Sequence, residues 1–140
     1  MPVIVAWRSG VLKTKSVWSR IDRKADGLRI LATRFRGRRM PTSRYDVWMP
    51  SLGPSERLLK TVLAGDISWA EFTRHYREEL FLDGPIDSRS KSIKNHGQKF
   101  TLRLIRALAR KGNVTLMCHC AEEQEQCHRH TLRKMILRSE

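Results

Sequence analysis

Residues 114–138 read VTLMCHCAEEQEQCHRHTLRKMILR: a short apolar run, a polar loop and an amphipathic closing segment. VTLMC does not alternate apolar with polar residues, which is the pattern of a strand covered on both faces in a parallel sheet. After the loop AEEQEQ, Leu132, Met135 and Ile136 recur at helical spacing. Upstream, the periodicity from Phe100 to Arg110 predicts a helix with Phe100, Leu104, Ile105 and Leu108 facing in, and Gly112-Asn113 stops it. Helix, tight turn and buried strand make the αβ half of a parallel unit. The stretch therefore predicts an α/β fold with a small, mainly parallel sheet flanked by helices in three layers.

Working outward, VIVAW near the start and VLKTKSVW from Val11 have strand character, and SRIDRKADG is turn-forming. LRILATR, residues 28–34, predicts a further strand. The run FRGRRMPTSRYDVWMPSLGPS carries too many Gly and Pro for any long element. Its Tyr45, Val47, Trp48, Met49 and Leu52 are too apolar for disorder, so an ordered loop packed on the core is expected. Ser55 is placed to cap a helix ending near Gly65. Ser68-Trp69-Ala70-Glu71 has the capping-box pattern and opens a helix through Leu82, with Trp69, Phe72, Tyr76 and Leu80 as its core stripe. His75 beside that stripe reads as structural. DGPIDSRSKSIKNHG, residues 83–97, reads as a flexible basic surface loop.

The chain of 140 residues fits one domain, 1–140, with residues 1–10 as an extra N-terminal strand or arm. A hydrophobic share of 40% argues against disorder over most of its length. No segment approaches the ~18 apolar residues that span a bilayer. MPVIVAW is too short for a signal peptide. A cytoplasmic protein with reduced cysteines and no membrane partner is the expectation.

Net charge is +14 and unevenly placed. Residues 1–44 hold twelve Lys and Arg against Asp22 and Asp26 alone, and residues 88–111 hold eight with no acid. Two such clusters form a footprint for a polyanion, nucleic acid first. They predict salt-sensitive binding rather than sequence recognition.

Chemistry concentrates in the quoted stretch. All three cysteines, Cys118, Cys120 and Cys127, and three of the five histidines fall within residues 118–130. In a strand, Cys118 and Cys120 share a face and His119 points away. Cys127, His128 and Arg129 stand at a helix start, which carries roughly half an elementary charge and free N–H groups. Three readings follow. Cys127 is a reactive thiol with His128 as base and Arg129 as clamp for an oxyanion or phosphate. Alternatively Cys118, Cys120, Cys127 and His128 hold a metal, zinc fitting the ligand types although C-x-C-x6-C-H is not a standard spacing. Or the cysteines fill space under a helix, with His128 capping backbone groups.

The segments KTKSVWSRIDRKADGLRILATRFRGRR, DVWMPSLGPSERLLK, SWAEFTRHYREEL and LMCHCAEEQEQCHRHTLRKMI, in this order and spacing, resemble the domain-of-unknown-function family 488. The resemblance runs from residue 13 to 138. It implies an α/β domain and singles out Asp46, Trp48, Leu52, Pro54, Ser55, Cys127, His128 and Arg129. The loop before Cys127 is longer than the family pattern and lacks its Asp-Pro, which leaves either Cys118 or Cys120 as partner of Cys127.

Sites in parallel sheets form beyond the carboxyl ends of strands. If strand 28–34 runs parallel to 114–118, Arg36, Arg38, Arg39 and Asp46 approach Cys127, His128 and Arg129. The catalytic set expected is Cys127, His128, Arg129 and Asp46. The ligand-binding set is Arg36, Arg38, Arg39, Trp48 and Ser55, with Trp48 either walling the pocket or packed in the core. The leading expectation is a basic protein that binds nucleic acid or a phosphate-bearing ligand at the Cys-His-Arg helix start and requires no cofactor. A small thiol enzyme using Cys127, and a metal-stabilised interaction module, are the alternatives.

Overall fold

The computed structural model describes residues 10–84, 92, 94 and 96–139. Four strands, β1 (Leu12–Ser16), β2 (Leu28–Leu31), β3 (Val47–Trp48) and β4 (Val114–Cys118), form one sheet in the order β1-β4-β2-β3. Every pairing is parallel. The last strand in sequence is thus central, and all five of its residues are buried. That is why VTLMC lacks alternation: neither face meets water.

The helices are α1 (Arg23–Asp26), α2 (Glu56–Leu63), α3 (Trp69–Leu80), α4 (Lys99–Lys111) and α5 (His128–Leu137). Helices α2 to α5 close over one sheet face. Ile30, Leu116, Leu52, Phe72, Tyr76, Leu102, Ile105, Leu132 and Ile136 fill the space between. On the other face, Val17, Leu31, Met40 and Met117 form a smaller cluster against Tyr45, beneath the 35–46 loop. Short α1 lies on this side too. Its buried Asp26 meets Lys13 and Lys15 of β1, and the Thr115 hydroxyl donates to the Asp26 carbonyl across 2.7 Å. The expected parallel α/β sheet with flanking helices is the observed fold.

Local chemistry explains the element ends. Ser55 and Ser68 accept from Leu58 N–H and Glu71 N–H, and the Ser68–Glu71 capping box is complete. Gly27 ends α1 at φ +61°, and a Cβ there would meet the Asn113 carbonyl. Only glycine meets both demands.

Four expectations change. The 28–34 strand stops at Leu31, because its ladder with β4 runs out as that strand ends. The turn-forming SRIDRKADG contains α1, capped by Asp22. Helix α4 buries Leu102, Ile105 and Ala109, whereas Phe100, Leu104 and Leu108 are exposed at 55%, 61% and 39%. The sequence carries two apolar stripes, and packing on β4 and α5 selects the one containing small Ala109. Trp48 is no core residue: it is 40% exposed and anchored by its indole N–H on the Thr33 carbonyl at 2.8 Å. The N-terminal VIVAW strand and most of the 83–97 loop lie outside the described residues.

Candidate functional site

Parallel pairing of β2 with β4 sends their following loops to the same sheet edge. A cavity of about 230 Å³ opens between them, lined by Thr33, Arg34, Phe35, Pro54, Leu59, Cys118, His119, Cys120 and His128. Gly53 makes the back of this wall possible, since a Cβ there would sit 2.5 Å from Arg34 N. His119 turns outward and donates from Nε2 to the Phe35 carbonyl at 2.9 Å, tying the two loops together.

All three cysteines are free, and their sulfurs lie within 4.8 Å of one another. Cys118 and Cys127 are buried with Sγ···Sγ at 3.0 Å, and Cys120 is half-buried. Arg129 lies beneath them with no exposure at all. Its Nη1 donates to Cys118 Sγ at 2.9 Å and to the Cys120 carbonyl at 3.3 Å. Nη2 donates to the carbonyls of Ala121 and Glu122 at 3.0 and 3.1 Å. The guanidinium fork therefore shapes the cysteine loop from within.

His128 is buried and donates from Nε2 to the Ala32 carbonyl at 2.5 Å. That bond fixes the proton on Nε2 and leaves Nδ1 bare, 4.0 Å from Cys127 Sγ. Burial lowers the His128 pKa, so the ring is neutral near pH 7. The thiols titrate as a unit. Contact with Cys118 and then with Cys127 holds the Cys120 thiol below the free-thiol range. Contact with Cys118 pushes Cys127 up and contact with Cys120 pushes Cys118 up, because a second thiolate would lie beside the first. Three sulfurs this close favour a single thiolate among them, with the Arg129 guanidinium on Cys118.

The three sulfurs also form a donor set for a soft metal. Zinc bonds of about 2.3 Å set tetrahedral sulfur edges near 3.8 Å, so Cys118 and Cys127 would separate slightly to take the ion. His128 Nδ1 is the fourth group at hand.

The other sequence candidates are scattered. Asp46 directs both carboxylate oxygens to Arg29: Oδ1 accepts from Nη2 at 3.1 Å, and Oδ2 accepts from the backbone N–H at 2.8 Å. The Arg29 guanidinium bonded to it lowers the Asp46 pKa. Arg36 donates to the Tyr45 hydroxyl, and Arg38 and Arg39 are exposed on the loop. Trp48 does not line the cavity, and its indole N–H bonds the Thr33 carbonyl of the wall. Ser55 caps α2 and also bonds Glu79, beside a different groove.

A family model described as the active DUF488-N3 subclade matches residues 12–140. The chain belongs to the DUF488 family. No curated protein and no solved structure gives a significant match. In this DUF488 chain, Cys118 and Cys120 both stand close to Cys127, so the choice of partner left open by the motif spacing resolves into a trio. Sequence reasoning missed Thr33, Arg34 and Phe35 as cavity walls. Their signal was position, directly after a strand on the carboxyl edge of a parallel sheet.

Proposed function

We propose that this DUF488 protein is a thiol-dependent enzyme whose reactive thiolate belongs to the Cys118–Cys120–Cys127 trio and faces the cavity through Cys120. The observation that carries this reading is the convergence of three sulfurs at the end of the central strand, with a buried guanidinium on one of them. Cysteines kept only as core filler need no cation beside them. Cys120 is the attacking sulfur, being the least buried of the three and part of the cavity wall. Its electron pair forms a bond to an electrophilic carbon as that carbon's bond to its leaving atom breaks, the leaving atom taking the pair. Cys127 shares a hydrogen bond with Cys118 at 3.0 Å, and His128 Nδ1, 4.0 Å from Cys127 Sγ, is the proton acceptor adjoining the trio. Arg129 is a positioning residue in this scheme, and Asp46 takes no part in it.

Iodoacetamide labelling against pH, with each cysteine mapped by mass spectrometry, tests it. Cys120 should react with a midpoint well below the ~8.5 of free cysteine. A normal midpoint ends the proposal.

A second reading is favoured by the same donor set: the trio binds zinc, with His128 as fourth ligand. Elemental analysis of protein purified without chelator decides between them. Stoichiometric metal lost in both Cys118→Ser and Cys127→Ser promotes the metal reading over the thiol one. The phosphate and nucleic-acid reading draws its support from the +14 charge and exposed Arg38 and Arg39. Filter binding across a salt series tests it, and salt-independent or absent binding removes it.

A further inference from the structure

We infer that the group entering the thiol cavity is uncharged and no larger than a single small ring, any anionic part of the substrate staying outside on the basic surface. The inference rests on the thiol reading above and deepens it. It comes from where the cations and donors around the cavity are already engaged.

Arg34 lines the cavity, but its Nη2 donates to the Gly53 carbonyl at 2.9 Å and its Nε to the Pro54 carbonyl at 3.4 Å. Arg129 is held by Cys118 and three loop carbonyls. Its buried Nε lacks a hydrogen-bond partner, but the residue does not line the cavity. His119 serves the Phe35 carbonyl, and the Thr33 hydroxyl donates to that carbonyl too, at 2.7 Å. His128 gives its only proton to Ala32. Phe35, Pro54 and Leu59 supply apolar wall. A carboxylate or phosphate placed here would lose its water against a mainly apolar wall, and the nearest cation, Arg34, already turns its Nη2 and Nε to the Gly53 and Pro54 carbonyls. Size points the same way, since about 230 Å³ falls below the ~300–1,000 Å³ of pockets that enclose drug-sized ligands.

Two alkylating reagents of nearly one shape separate the possibilities. Neutral iodoacetamide and anionic iodoacetate react alike with a thiolate: the S–C bond forms, the C–I bond breaks, and iodide leaves. Their rates at Cys120 are measured on the native full chain by peptide mass spectrometry, each normalised to the same chain in denaturant. The normalised preference for iodoacetamide should be about tenfold or more. The protein's net charge attracts iodoacetate, which makes the comparison severe. A preference near one, or favouring iodoacetate, overturns the inference and leaves the thiol reading standing. Slow reaction of Cys120 with both reagents, against the denatured reference, overturns the thiol reading and the inference with it. Labelling that appears only after chelation assigns the sulfurs to a metal and does the same.

Discussion

Arg129 Nη1 stands 2.9 Å from Cys118 Sγ, and solvent reaches no part of the Arg129 side chain. One guanidinium thereby fixes the sulfur at the end of β4 and the backbone path that carries Cys120 past it. Arg129→Lys keeps the charge but cannot bridge a sulfur and three carbonyls. The variant should unfold about 1.5–3 kcal/mol more easily, the worth of hydrogen bonds to a charged group. Its iodoacetamide pH profile should also move toward higher pH, because the sulfur trio loses the guanidinium N–H fixed on Cys118. A profile that stays put while stability falls would reduce Arg129 to scaffolding.

Asp46 gives the contrasting case. Its carboxylate is engaged by Arg29 on β2, and no bond of it reaches the cysteine trio. Asp46→Asn should cost about 1 kcal/mol, since the carboxylate is partly exposed, and should leave the thiol labelling profile unmoved. Urea melts and labelling on the same preparation check both halves. A shifted profile would restore Asp46 to the chemistry.

These two residues mark how far the sequence could be read. The parallel sheet was legible because VTLMC is apolar without alternation, and a central strand of a parallel sheet is the place for such a run. The cavity lies at the carboxyl edge of that strand, where such sheets place their sites. Burial direction was not legible. Cys127-His128-Arg129 reads as an exposed anion-binding helix start, yet Arg129 points inward to loop carbonyls 120–122 that no local pattern names as its partners. The thiol proposed to react is accordingly Cys120 rather than Cys127, which is 2% exposed. Asp46 was read toward the cysteines because its link to Arg29 spans seventeen residues and depends on the β2–β3 pairing.

Helix α4 turns the same lesson into a measurement. Its apolar residues fall on two stripes, of which Leu102, Ile105 and Ala109 face the core and Phe100 and Leu104 face out. Ile105→Ala should cost about 2–5 kcal/mol, as for a buried aliphatic truncated to a cavity. Leu104→Ser should lie within about 0.5 kcal/mol of the parent. Chemical denaturation of the two variants reads the difference, and equal losses would place Leu104 in the core after all.

Asp26 sets the acid limit of the fold. Its carboxylate is fully buried and accepts from Lys15 Nζ at 3.0 Å, Lys13 Nζ at 3.3 Å and Asp22 N–H at 3.0 Å. Burial acts to raise its pKa, but the Asp22 N–H and the two lysines outweigh it and hold the group below 3.8. A depressed native pKa means the unfolded chain binds the proton more readily. The stabilisation is therefore complete above the unfolded value of about 3.9 and is lost as pH falls through the native one. Asp46, lowered in the same direction, adds to the same window. Asp26→Asn should be about 1.5–3 kcal/mol less stable at pH 6, with the gap to the parent closing below pH ~4. Thermal melts of both proteins between pH 2 and pH ~7 follow the gap. A difference that stays constant across that range would show that the lysines stabilise Asp26 no better than they stabilise a neutral amide.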